Sequence, residues 1–181
     1  TPDIVSIAKG ISSAYLPIAA TVVKNHVFQS FYGEPSENRQ VAQVNTYGGH
    51  PVAAAVALRN IEILLEEKLA ERSAEMGKYL MDGLHTLQRH PWVGDVRGKG
   101  LLVGVELVQS RDTKEPVGSP QIQAVVDFCR DSGLIVGRSG GGQRYSNTIT
   151  LSPPLVITRG EVDRIVETLD RAIAATAGRP S

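Results

Sequence analysis

An α/β segment followed by a small α+β domain with an antiparallel sheet is the fold class this sequence predicts. Three observations carry it. Two β-rich runs, residues 3–8 and 18–23, flank a Gly/Ser loop near the start. Two long stretches of helical periodicity follow, residues 51–65 and 69–88. The remainder alternates short strand patterns with helices, as in a sheet covered on one face. A domain boundary is placed between residues 67 and 68, giving segments 1–67 and 68–181.

Each element has a local reason. Residues 18–23 are suited to a buried strand returning beside the first. The polar stretch 34–43, with Pro35, reads as a loop. Pro51 occupies an allowed first-turn position of the helix that follows, whose apolar residues include Val52, Val56, Ile61 and Leu65. The next helix is amphipathic through Met76, Leu80, Leu84 and Leu87 and ends near His90-Pro91. Residues 93–96 and 101–107 alternate around Gly98-Lys99-Gly100, a hairpin signal, and residues 110–118 form a loop. A helix over 120–132 is stopped by Gly133, a strand runs over 134–137, a glycine-rich turn over 139–142, and a further strand over 148–151. The closing helix, 158–175, has Thr158 as cap and Glu161 at the capping-box position. Residues 177–181 read as a loose tail.

Composition narrows the function classes. Among 181 residues, 19 Lys and Arg balance 19 Asp and Glu, so no net field exists to hold nucleic acid or an anionic membrane surface. The single cysteine, Cys129, sits among apolar residues of a helix and reads as a core residue in a reduced compartment. Without a signal-peptide pattern or an 18-residue uncharged apolar run, the expected location is the cytoplasm and no membrane span is expected. His50 has no second His or Cys at ligand spacing, and His26, His85 and His90 likewise stand alone, so no metal is expected.

Lys9 is the most informative residue. The apolar run Ile4-Val5-Ser6-Ile7-Ala8 gives way at Lys9 to Gly10-Ile11-Ser12-Ser13, so one amine is displayed at the open end of a sheet. A Schiff-base lysine is displayed in this way, in a partly desolvated pocket that favours an uncharged, nucleophilic amine. An ordinary surface lysine at a turn is the plain alternative. Downstream stands Asn45-Thr46-Tyr47-Gly48-Gly49-His50-Pro51.

Together the two segments resemble the class III aminotransferases, fold-type I enzymes that use pyridoxal 5'-phosphate (PLP). Asp3, Ile4, Val5, Ala8 and Lys9 match the pattern around the family's cofactor lysine; Thr46, Tyr47, Gly49, His50 and Pro51 match its downstream signature. Residues 93–101 and 150–155 look like the small-domain signatures of the same family, so the resemblance covers nearly the whole chain. It implies that residues 1–67 are the C-terminal part of a PLP-binding large domain, with the lysine loop and an interdomain helix. Residues 68–181 would be a connecting helix and the small domain.

By that resemblance Lys9 holds the cofactor and moves the proton during turnover, and Thr46 donates to the phosphate of the neighbouring subunit's cofactor in a homodimer. Thr46 has a second reading as a helix N-cap. His50 is expected to be structural, at the helix entrance. Substrate carboxylates call for an arginine fork, and the candidates are Arg138, Arg144 and Arg97. Some relatives place an arginine where this chain has Thr150, which leaves Arg144 to act from the adjacent loop, as in ω-amino acid and amine transaminases.

The implied activity is transfer of an amino group from an amine or ω-amino acid to a 2-oxo acid such as pyruvate. The phosphate-binding Gly/Ser loop, the ring-stacking aromatic and the aspartate at the pyridine nitrogen have no match here, and Asp3 cannot take that last role. The expectation is therefore the C-terminal part of a longer enzyme, inactive by itself. Two alternatives are a PLP aminomutase of the same fold, in which Asn tends to replace His50, and a non-catalytic remnant that packs against a partner.

Overall fold

The computed structural model describes residues 1–42, 45–138 and 147–176. The chain forms two units, Thr1–Glu67 and Lys68–Ser181.

In the first unit, strands β1 (Ile4–Ala8) and β2 (Ala19–Val23) pair antiparallel, with Ile4 opposite Val23 and Ala8 opposite Ala19. Between them the chain makes a 3-10 turn, Lys9–Ser12. Helix α1 (Asn25–Gln29) follows, and a 3-10 turn over Pro35–Glu37 lies in the stretch expected to be a plain loop. A capping box closes it, with the Glu34 N–H donating to the Glu37 carboxylate at 3.0 Å. Helix α2 (Pro51–Glu66) starts with Pro51 in its first turn.

The β1–β2 ribbon departs from expectation in its exposure. Residues 18–23 were suited to a buried strand, yet β2 is exposed at all positions but Val23, which is half-buried, and Ile4 is 57% exposed. An apolar β-rich run specifies a surface able to be buried, and no described residue of this unit covers it.

The second unit holds the hydrophobic core. Helix α3 (Leu69–His85) passes into a 3-10 turn, then β3 (Val93–Lys99) pairs antiparallel with β4 (Leu102–Leu107). The strand continues through Gly98 and Lys99, so the turn falls at Gly100-Leu101, later than the glycine pattern implied. Gly100 takes φ +55°, which suits a residue without a Cβ. Helix α4 (Ser119–Asp131) leads to β5 (Gly137–Arg138); the expected strand over 134–137 is confined to that short piece. The expected glycine-rich turn at 139–142 lies outside the described residues. Strand β6 (Thr148–Leu151) and helix α5 (Arg159–Thr176) complete the unit.

Among the described residues the sheet has the order β3-β4-β6-β5, antiparallel throughout. Period-two alternation places Val103, Val105 and Leu107 of β4 in the core while Gly104 and Glu106 face outward. Helix residues at i, i+4 spacing meet them: Met76, Leu80 and Leu84 from α3, and Val162, Ile165, Leu169 and Ile173 from α5. Cys129 is fully buried in this core, and burial pushes its thiol up to about 11, so it is an inert packing residue.

Candidate active site

Lys9 stands at the joint between β1 and the following turn, where the strand ladder ends. Its backbone is left-handed at φ 55°, as are Ser13 at 48° and Ala14 at 62°. Three such non-glycine residues within six positions cost on the order of 1–3 kcal/mol each, so the turn persists only because its surroundings over-determine it. Those surroundings are specific. The Ser12 hydroxyl, 1% exposed, donates to the Leu16 carbonyl at 2.7 Å. From α2, the Asn60 amide donates to the carbonyls of Gly10 and Ile11, each at 3.0 Å, and its oxygen accepts from the Ser13 hydroxyl at 2.5 Å.

The packing between α2 and the lysine turn also follows from sequence. Ala53, Ala57 and Asn60 lie on one face of α2 at i, i+4, i+7 spacing. Both alanines are buried, and small side chains let a turn approach a helix closely. Neither Asn60 nor the alanine stripe belongs to a motif; an isolated polar residue on an otherwise apolar helix face is the available signal.

A cleft of about 860 Å³ opens on the Lys9 turn. Lys9, Ser12 and Pro17 line it from the first loop; Thr46, Gly49 and His50 line it from the segment before α2. The structure therefore brings together the lysine and the threonine singled out from sequence. Thr46 sits in a turn whose Gly48 N–H donates to the Asn45 carbonyl at 2.8 Å. It is not the N-cap of α2: that position belongs to His50, whose carbonyl accepts from the Ala54 N–H at 3.0 Å without a side-chain cap bond. The Thr46 hydroxyl has no hydrogen-bond partner among the described residues. Gly49 adopts φ +68°, and a Cβ there would meet open space, so backbone conformation and not crowding calls for glycine.

One expectation about this site changes. Lys9 is exposed, so the described residues do not supply the partly desolvated pocket. Asp3, at the far end of β1 from Lys9, pairs with Lys24 at 3.0 Å.

The arginine candidates belong to the second unit. Arg97 is held by the carboxylates of Glu106 and, at 2.9 Å, Asp95, whose hydrogen bonds raise its pKa further and compensate its charge. Arg138, on β5, donates to Gln123 at 3.2 Å and Ser119 at 3.3 Å, both on α4. Arg144 lies outside the described residues. Thr150 is half-buried on β6, opposite Gly104 and Gly137.

The histidines are less solitary than their spacing suggested. His90 Nε2 lies 2.6 Å from Asp170, and His26 lies 3.6 Å from Asp3. Among the described residues no group of three or more His, Cys, Asp or Glu could hold a metal ion, and no helix is long and apolar enough to cross a membrane.

Comparison with known proteins fits this arrangement. The profile of the family described as "Aminotransferase class-III" matches residues 1–173. YhxA of Bacillus subtilis, an uncharacterized aminotransferase, is 46% identical over 169 residues, covering 93% of this chain and 37% of that protein. The taurine–pyruvate aminotransferase of Bilophila wadsworthia is 41% identical over 174 residues, covering 94% of this chain and 38% of its own. A crystal structure of a Bacillus anthracis aminotransferase superposes with a TM-score of 0.90 at 48% identity, over 96% of this chain and 39% of that one. An amine transaminase from an uncultivated Pseudomonas species, solved in its PLP-bound form, gives 0.87 at 33% identity, over 97% and 39% respectively. The chain belongs to the class III aminotransferases, and its structural neighbours are transaminases of the fold-type I architecture. It spans somewhat under two fifths of the length of these relatives.

Proposed function

We propose that this chain supplies the lysine-bearing part of the active site, and the small domain, of a PLP-dependent transaminase. The enzyme moves an amino group from an amine or ω-amino acid to a 2-oxo acid such as pyruvate. In this reading residues 1–67 are the end of the cofactor-binding large domain and residues 68–181 the connecting helix and small domain. One observation carries it: Lys9 and the unpartnered Thr46 hydroxyl, from two separate segments, line one cleft.

The described residues lining the cleft fit that cofactor in two of its requirements, an amine for the aldehyde and a hydroxyl for the phosphate, while among them none supplies an anion for the pyridine nitrogen. When bound, PLP supplies the electron sink that lets a substrate C–H bond beside nitrogen ionise. Lys9 Nζ would hold the cofactor through its aldehyde. The same Nζ, once free, would be placed to hold the proton taken from the substrate carbon and to return it, as general base and then general acid. Thr46 Oγ1 would donate to a phosphate oxygen, oriented by the turn over residues 45–49. By family resemblance that phosphate belongs to the cofactor of a second subunit, so the working enzyme is a homodimer. Arg144 is the proposed partner of a substrate carboxylate, since Arg97 and Arg138 already have protein partners.

Pyruvate as acceptor is supported by relatives named as taurine–pyruvate and hypotaurine/taurine–pyruvate aminotransferases, at 41% and 37% identity. The test is alanine formation from pyruvate by the enzyme of full family length, with taurine, β-alanine and a simple primary amine as alternative donors. Alanine from at least one donor is expected; no alanine from any of them contradicts the reading.

A further inference from the structure

We infer that Asn60 is a positioning residue for Lys9: its carboxamide clamps the backbone of the lysine turn and so fixes where the amine is delivered. The inference rests on the reading of Lys9 as the cofactor-binding amine. Asn60 is the one side chain of α2 in the described structure that bonds to the loop, and it does so three times. Its Nδ2 donates to the carbonyls of Gly10 and Ile11 at 3.0 Å each, and its Oδ1 accepts from Ser13 at 2.5 Å.

Those partners bracket the strain. Lys9 and Ser13 are both left-handed, and the Gly10 and Ile11 carbonyls lie between them. A left-handed lysine relaxes readily toward extended or right-handed backbone, and such a change at φ swings the whole side chain. Two amide donors on two successive carbonyls oppose that relaxation, because turning either peptide breaks its bond to Asn60. Ser12, bonded to Leu16, holds the following residues but touches the lysine only through a long 3.5 Å contact to its carbonyl. Asn suits the post better than its neighbours in size. Asp offers the acceptor for Ser13 but sets a carboxylate against two carbonyl oxygens, and Gln reaches one methylene too far.

The test uses the enzyme of full family length and the variants Asn60→Asp, Asn60→Ala and Asn60→Gln, with two readouts. The first is amide hydrogen exchange over residues 10–16 without cofactor, where loss of two carbonyl bonds is expected to speed exchange roughly tenfold to a hundredfold in the Asp and Ala variants. The second is the share of borohydride-fixed PLP found on Lys9, expected to fall in the same variants while the urea midpoint of the isosteric Asp variant holds. Partial recovery in Gln supports the carboxamide as the acting group. Exchange and Lys9 share unchanged in Asn60→Asp overturn the inference. A wild-type enzyme carrying no PLP on Lys9 overturns the proposed function instead, and the exchange readout still decides whether Asn60 clamps the turn.

Discussion

Thr46 and Lys9 line the same cleft, and the Thr46 hydroxyl has no protein partner among the described residues. A hydroxyl so placed, in a turn and not at a helix N-cap, is available to an anion.

Removing it should weaken PLP binding by about tenfold to a hundredfold, the value of one hydrogen bond to a charged group at 1.5 to 3 kcal/mol. The subunit it serves is read by mixing Lys9→Ala with Thr46→Ala chains. If Thr46 acts across a dimer, the mixed dimer rebuilds one intact site from the two damaged parents, with half the wild-type PLP content at wild-type affinity. Mixed dimers with no tightly held PLP would place Thr46 in the site of its own Lys9.

Gly77 of α3 lies against the hairpin turn, where an added Cβ would stand 2.3 Å from the carbonyl carbon and oxygen of Gly100. Backbone cannot yield as a flexible side chain does, so Gly77→Ala should lower the stability of the second unit by about 1–3 kcal/mol. Gly160, in the first turn of α5 with nothing within 4 Å of its Cβ position, is the control. Its change to Ala should be neutral or stabilising by up to about 1 kcal/mol. Urea unfolding followed by circular dichroism compares them; equal midpoints for the two variants contradict the close approach.

The α5 N-terminus carries a pH signature. The Thr158 N–H donates to the Glu161 carboxylate at 2.8 Å and its hydroxyl at 2.7 Å, while the Glu161 N–H donates back to that hydroxyl at 3.3 Å. The backbone and hydroxyl donors of Thr158 hold the Glu161 carboxyl below the ordinary glutamate range. A depressed folded pKa means stability present above the unfolded value, about 4.3, and lost as pH falls through the folded one. Glu161→Gln should therefore flatten the acid limb of a stability profile, and Thr158→Ala should cost about 1 kcal/mol near neutrality. An acid limb as steep in Glu161→Gln as in the wild type contradicts the capping box.

Much of this was legible in the sequence because the deciding interactions are local. The capping box at Thr158 and Glu161, the helix opening at Pro51 and the strand of alternating Val103, Val105 and Leu107 each follow from spacing alone. Lys9 and Thr46 were legible as an ordered pair of motifs. Asn60 was not, since its role depends on a turn fifty residues upstream folding against α2. Exposure of β2 is not written in its own residues, because an apolar run reports only what a strand can bury against, and nothing described in its unit covers it. Arg97 looked available until the strand register set Glu106 across from Asp95, beside the same guanidinium. Hairpin position shifted for a comparable reason: Gly98 fits inside β3, where its Cβ position is crowded by Leu102 and Val103.

The most direct test of the central claim is to reduce the PLP-loaded enzyme of full family length with borohydride and map the fixed cofactor by peptide mass spectrometry. The expected result is one modified lysine, Lys9, with Lys9→Ala folded as judged by circular dichroism but carrying no fixed cofactor. A fixed cofactor on Lys24, Lys68 or Lys99, or an undiminished yield from Lys9→Ala, would contradict it.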